Sequence, residues 1–183
     1  MQLRPLAALF VLALALALTQ PVAAQVTDVT RESFTVDFTT PVAAPASTVW
    51  DSLLEIGSWW HPDHTFWGDA SAMQIEPRPG GCFCEGGPDG AGAVHLMVLN
   101  VQPGQWLRMG GALGPLQDHA LSGAMTIRLA ESDTGTEVHL VYHVSGHVTG
   151  GLEGWAEPVA GVLVEAIGRL RSFVETGSPT PDA

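Results

Sequence analysis

Residues 154–175, GWAEPVAGVLVEAIGRLRSFVE, carry the pattern that most restricts the fold. Trp155, Val159, Val162, Leu163, Ala166, Ile167, Leu170 and Phe173 recur at helical spacing and form one apolar stripe. Pro158 is compatible with such a helix because it falls in the first turn. A helix this long with an apolar face has to be covered by other elements. The chain before it offers mainly strands.

Ser33 to Thr39, SFTVDFT, alternates apolar and polar residues as a half-buried strand does. Pro45 to Ile56 has apolar residues at helical spacing, and Gly57 is expected to stop that helix. Ser58 to Phe66, broken by Pro62, reads as a turn or a second short helix. Six more strands are expected at Ala72–Glu76, Cys82–Glu85, Val94–Val101, Trp106–Met109, Ser122–Leu129 and Glu137–Val144. They are separated by turn-forming runs such as GGPDGAG and SDTGT. This order predicts an α+β fold, an antiparallel sheet with its helices on one face. Gly161 and Gly168 are expected to let the last helix approach the sheet or to border a void.

The chain begins with a short basic stretch, Met1–Arg4, and the apolar run Leu6–Leu18. Val22 and Ala24 then occupy the small-residue positions of a cleavage site. Residues 1–24 read as a secretory signal peptide, because the run is short of the ~20 residues that span a bilayer. The expected organisation is a signal peptide at 1–24, a polar leader at 25–31, one domain at 32–175 and a disordered tail at 176–183. The expected location is periplasmic or secreted, with no stable membrane insertion after cleavage. Nineteen acidic side chains against seven arginines, with no lysine, give a net charge of −12. Such a chain repels nucleic acid and anionic lipid surfaces. The missing lysine excludes lysine Schiff-base chemistry and a phosphate-loop lysine.

Four segments in this order resemble a known family. They are the helix entry APASTVWDSLLEIGSWW, the Gly80-Gly81 pair before a strand, the hairpin strand GT-x-V-x-L-x-Y at Gly135–Tyr142, and the closing amphipathic helix. Together they resemble the SRPBCC superfamily, with its START-like or helix-grip fold, over roughly Phe34 to Val174. The similarity is strongest to the Hsp90-activator-like and polyketide-cyclase-like branch. The segments GGCFCE and GALGPLQ resemble those of secreted bacterial members. The resemblance implies a curved antiparallel sheet wrapped around the C-terminal helix, with an apolar cavity between them for a hydrophobic small molecule. Some members are cyclases or aromatases. A co-chaperone role fits poorly with secretion and with so few basic side chains.

The expected ligand-binding positions are Trp59, Trp60, Trp67, Phe83, Glu85, His95, Leu113 and Trp155. Leu113 lies in the GALGPLQ loop that would gate the cavity. Large aromatics suit a pocket wall, although a single tryptophan is more often ordinary core. Glu85 shares a strand face with Phe83. If that face looks into the cavity, Glu85 is a candidate catalytic acid or base; otherwise it is a solvated strand end.

Cys82 and Cys84 are the only cysteines. On an extended strand, residues i and i+2 have Cα atoms about 6.5–7 Å apart, at the edge of disulfide geometry. A bond between them is therefore the least comfortable expectation, and buried free thiols the leading one. A hairpin loop at 86–91 that set His95 opposite Cys82 would gather Cys82, Cys84 and His95 on one face. His61 or His64 could then complete a site for zinc or copper. A shift of one residue would send His95 to the other face. The functional expectations are thus a carrier of a hydrophobic small molecule without a cofactor, a cyclase- or hydrolase-like enzyme using Glu85 and a histidine, or a metal or redox module on Cys82, Cys84 and His95.

Overall fold

The structure, a computed structural model, describes residues 24–180. Residues 1–23 of the expected signal peptide and 181–183 of the expected tail lie outside the described residues.

Eight antiparallel strands form one sheet in the order β1-β2-β8-β7-β6-β5-β4-β3. They are β1 Gln25–Thr27, β2 Ser33–Val42, β3 Met73–Ile75, β4 Cys82–Gly86, β5 Gly92–Gln102, β6 Trp106–Gly110, β7 Ala120–Ser132 and β8 Gly135–His147. Three helices complete the fold: α1 Ala46–Leu54, α2 Ile56–Trp59 and α3 Glu153–Thr176. Strands β3 to β8 follow one another as a meander, and β2 and β1 extend the sheet beyond β8. This is the α+β helix-grip arrangement, a curved antiparallel sheet closed by a C-terminal helix. Among the described residues, no helix is long and apolar enough to cross a membrane.

Alternation accounts for the inner face. The register Phe34↔Val144, Val36↔Tyr142 and Phe38↔Leu140 puts six large side chains of β2 and β8 on one side, all buried. Against them α3 buries Ala156, Ala160, Leu163, Ala166, Ile167 and Leu170. The three alanines let the helix sit close, while the larger residues fill the grooves between strands. Gly161 and Gly168 do neither of the things expected of them, since both are exposed with open space beside them. Pro158 is the sixth residue of α3, inside the helix and past the first turn expected for it, and Gly177 ends the helix at φ 79°.

Two other boundaries differ from expectation. The segment read as a polar leader supplies β1, which pairs with β2 through Gln25↔Asp37, Val26↔Val36 and Thr27↔Thr35. The break after α1 falls at Glu55, and Gly57 lies inside α2. A side chain at Gly57 would meet the carbonyl oxygens of Ala70 and Met73 at 3.1 Å, so close backbone approach selects glycine there. Arg169 on α3 donates from Nε to the carbonyl of Trp59 at 2.8 Å and ties the end of α2 to the long helix.

Candidate ligand cavity and the buried Glu85–His95 pair

A cavity of about 260 Å³ opens between α3, the 60–66 segment and the 113–116 loop. Trp60, Phe66, Leu113, Leu116, Trp155 and Val159 supply much of its apolar wall. His95 contributes from the sheet, and Asp63, His64 and Thr65 come from the segment after α2.

Each wall is held by a specific contact. The 111–113 loop is pinned by Tyr142, whose hydroxyl accepts from the Leu113 N–H at 3.0 Å and donates to the Gly111 carbonyl at 3.1 Å. Burial pushes the Tyr142 phenol up to about 12, with the Leu113 N–H pulling the other way. The 61–64 turn is clasped to α3, since His64 Nε2 lies 3.0 Å and His61 Nε2 3.8 Å from the Glu165 carboxylate. Trp60 donates its indole N–H to the His64 carbonyl at 3.0 Å and so fixes its own ring in the wall.

His95 belongs to the wall, and Glu85 stands behind it. Glu85 is fully buried at the end of β4 and accepts hydrogen bonds from three sources. The Phe66 N–H reaches its two oxygens at 2.9 and 3.1 Å, and the Trp67 N–H reaches Oε1 at 3.1 Å. His95 Nε2 reaches Oε2 at 3.0 Å. The contacts from Phe66 and Trp67 are acceptor contacts, the pattern a carboxylate makes. Against a carboxylate, neutral His95 holds its proton on Nε2 as the donor, and Nδ1 carries the lone pair. That Nδ1 is buried without a hydrogen-bond partner among the described residues. Burial lowers the His95 pKa, and the hydrogen bond and charge of Glu85 only partly restore it. Phe66 stacks on the imidazole at 5.5 Å with the planes 13° apart, and Phe83 tilts against it at 5.1 Å.

His95 follows Ala93 onto the inner face by alternation and sits at a β-bulge. The ladder pairs Gly86↔Gly92, Glu85↔Ala93 and Cys84↔Val94, then resumes at Phe83↔Leu96 and Cys82↔Met97. β5 thus has one extra residue, His95, and His95 and Leu96 are buried in succession. The expected register, with His95 opposite Cys82, is off by one residue from the loop to Cys84 and by two beyond the bulge, where Cys82 pairs with Met97. The consequence is the loss of the metal set. Cys82 and Cys84 lie on the outer face, His95 on the inner one, and His64 contacts Glu165. Among the described residues no three histidine, cysteine or carboxylate side chains are arranged to hold a metal ion.

The thiols are not free either. Cys82 and Cys84 are joined in a disulfide with Cα atoms 5.4 Å apart. The ideal extended spacing that disfavours the bond does not hold here, since the two Cα atoms stand within the ordinary disulfide range.

The other expected positions separate clearly. Trp60, His95, Leu113 and Trp155 line the cavity. Trp59 is core, 2% exposed, with its indole N–H on the Ser52 carbonyl at 2.8 Å. Trp67 is 38% exposed and covers Gly87. Phe83 packs edge-on against Trp60 at 5.4 Å, deeper in the core. Glu85 stands behind His95 and is neither a solvated strand end nor a wall residue. Val159, Val162 and Leu116 were not singled out. The valines lie on the flank of the α3 stripe, and Leu116 in the same GALGPLQ loop as Leu113, which is the signal that could have found them.

No family model matches the chain, and no curated protein matches it. Solved structures do share its fold. CalU16 from Micromonospora echinospora is 19% identical, with 87% of this chain and 86% of that one covered at a TM-score of 0.54. A structural-genomics protein from Rhodobacter sphaeroides is 19% identical, with 85% and 100% covered at 0.53. A protein of unknown function from Staphylococcus aureus is 13% identical, with 80% and 96% covered at 0.58. At these identities the likeness extends to the fold and no further.

Proposed function

We propose that the chain is a secreted or periplasmic binding protein that holds a hydrophobic small molecule in the cavity between α3, the 60–66 segment and the 113–116 loop. The observation that carries this reading is the wall itself: aromatic and aliphatic side chains from three elements, with a few polar groups at one side. That is the composition of a small-molecule site, in which apolar area supplies affinity and sparse polar groups fix orientation. The acidic, lysine-free surface supports a neutral ligand over nucleic acid or an anionic membrane. No metal or cofactor enters the reading.

Native mass spectrometry of protein purified from its secreting host, followed by titration with lipids, polyketides and aromatic compounds, tests it. Binding should change the emission of Trp60 and Trp155, and Val159→Trp, which fills the cavity, should abolish that response. A folded, empty protein whose emission ignores the whole panel would refute it.

A second reading is favoured by the Glu85–His95 pair. In it the cavity is an active site for proton transfer on a bound hydrophobic substrate. Glu85 holds the imidazole in one tautomer, and Nδ1 of His95 takes a proton from a substrate hydroxyl or activated C–H and returns it. This reading requires His95→Gln to lose turnover while ligand binding survives. Equal loss of both would return the pair to a structural role.

A further inference from the structure

The Cys82–Cys84 disulfide lies on the face of the sheet turned away from the cavity, and its surroundings there are unusual. Both cysteines are half-buried on the outer side of β4, while Phe83 and Glu85 between and beyond them point inward. Their cross-strand partners on β5 are Met97 for Cys82 and Val94 for Cys84. These are 39% and 48% exposed. Leu99, 57% exposed, extends the same surface over Gly110, where any side chain would collide with it. Isolated apolar residues on a protein surface need no explanation. Here, however, the exposed apolar residues are the direct neighbours of both sulfurs, and Gln74, the β3 partner of Cys84, is uncharged.

The bond also contributes little that the fold needs. It closes a loop of three residues, so it constrains the unfolded chain far less than a long-range disulfide does. β4 is already held by ladders to β3 on one side and β5 on the other. A disulfide that is reachable from solvent and weakly stabilised by its fold is of the more oxidising, reactive kind.

We propose that Cys82–Cys84 is a thiol–disulfide exchange site whose substrate is a reduced, cysteine-bearing polypeptide segment with apolar side chains beside its cysteines. Val94, Met97 and Leu99 receive those side chains, and removing them from water favours a polypeptide over a small hydrophilic thiol. Glu76, just past β3, donates its N–H to the Cys82 carbonyl at 2.9 Å, and its carboxylate is paired with Arg78 at 2.8 Å, so the acid beside Cys82 carries its own counter-charge.

The step balances in thiols and electrons. A thiolate of the partner attacks one Sγ, the Sγ–Sγ bond breaks, and its electron pair leaves on the other cysteine sulfur, which takes up a proton. A mixed disulfide joins the two chains. A second thiolate of the partner then attacks the partner's own sulfur in that mixed disulfide and releases the remaining cysteine as a thiol. Two electrons have passed to Cys82 and Cys84, which end as two thiols, and the partner's two thiols have become a disulfide.

The test uses the full oxidised chain and three reductants at equal thiol concentration: a dithiol peptide with leucine and valine beside its cysteines, the same peptide with serine and glycine there, and glutathione. Acid quenching, alkylation and mass spectrometry count protein and peptide thiols over time. The apolar peptide should be oxidised as the protein gains two thiols, at a rate about tenfold above the polar peptide, the gain expected from burying a few methylene groups. Met97→Glu, a surface change whose fold circular dichroism checks, should erase that preference. An intact disulfide after prolonged incubation overturns the proposal, as do equal rates for all three reductants. So does a preference that survives in the Met97→Glu protein. The cavity on the opposite face plays no part in any of these outcomes.

Discussion

His95 Nε2 stands 3.0 Å from Glu85 Oε2, and both side chains are shut away from solvent. The same carboxylate holds the backbone N–H groups of Phe66 and Trp67. One buried acid therefore joins the sheet, the inward-facing imidazole and the segment that forms one wall of the cavity.

Removing that acid should be costly. Glu85→Ala leaves two part-buried N–H groups and a buried imidazole without their acceptor, and the expected loss of stability is about 2–4 kcal/mol. Chemical denaturation measures it. Hydrogen exchange at the Phe66 and Trp67 amides should accelerate more than at strand amides of β7 and β8, where the ladder is unchanged. Equal acceleration everywhere would mean that Glu85 does not act as this joint.

Acid should destabilise the fold through His95. Its folded pKa lies below the ordinary value of 6.5. As the pH falls through about 6.5 the unfolded chain binds this proton first. Stability is thus fully present above that pH and is lost on acidification, until the folded pKa is passed. The slope of stability against pH just below 6.5 should be smaller in His95→Gln than in the parent chain. Urea titrations at several pH values compare the two; parallel slopes would exclude His95 as the source.

Tyr142 sets the opposite, alkaline limit. Its phenol stays protonated to about 12 in the folded chain against an ordinary 10.0. Between those values the unfolded chain releases the proton first, so stability falls as the pH rises from 10 toward 12. Tyr142→Phe should lack that part of the alkaline loss. At neutral pH it should cost about 1–3 kcal/mol, because the Leu113 N–H and the Gly111 carbonyl lose their shared partner. Thermal melts of both proteins across this range provide the measurement.

Replacing both cysteines by serine should lower stability by only about 1–2 kcal/mol, in keeping with the three-residue loop that the bond closes. A loss much above that, read by denaturation of the double variant, would make the disulfide a structural brace.

Most of the fold is legible in the chain because periodicity reports it. The α3 stripe and the alternation of β2 and β8 state which faces are buried, and turn residues mark where strands end. The site is less legible, for two reasons. The inward position of His95 depends on the hairpin register that sets Ala93 opposite Glu85, and the bulge then adds Leu96 to the same face; both are properties of paired strands that neither sequence announces. The place of the 60–67 segment depends on a side chain at position 85 accepting from backbone N–H groups at 66 and 67, and backbone donors leave no residue signature. Trp59 and Trp60 illustrate the limit, since adjacent tryptophans of one short motif divide between core and cavity wall.

The two strands that end the sheet, β1 and β3, are three residues long apiece. An extended chain laid against either would find few unpaired backbone groups before running off the end. The longer strands lie between these two in the sheet order, although Phe38–Val42 of β2 runs past its last pairing with β1, where Pro41 withholds a donor. At its two end strands the architecture therefore offers a poor template for strand addition between copies.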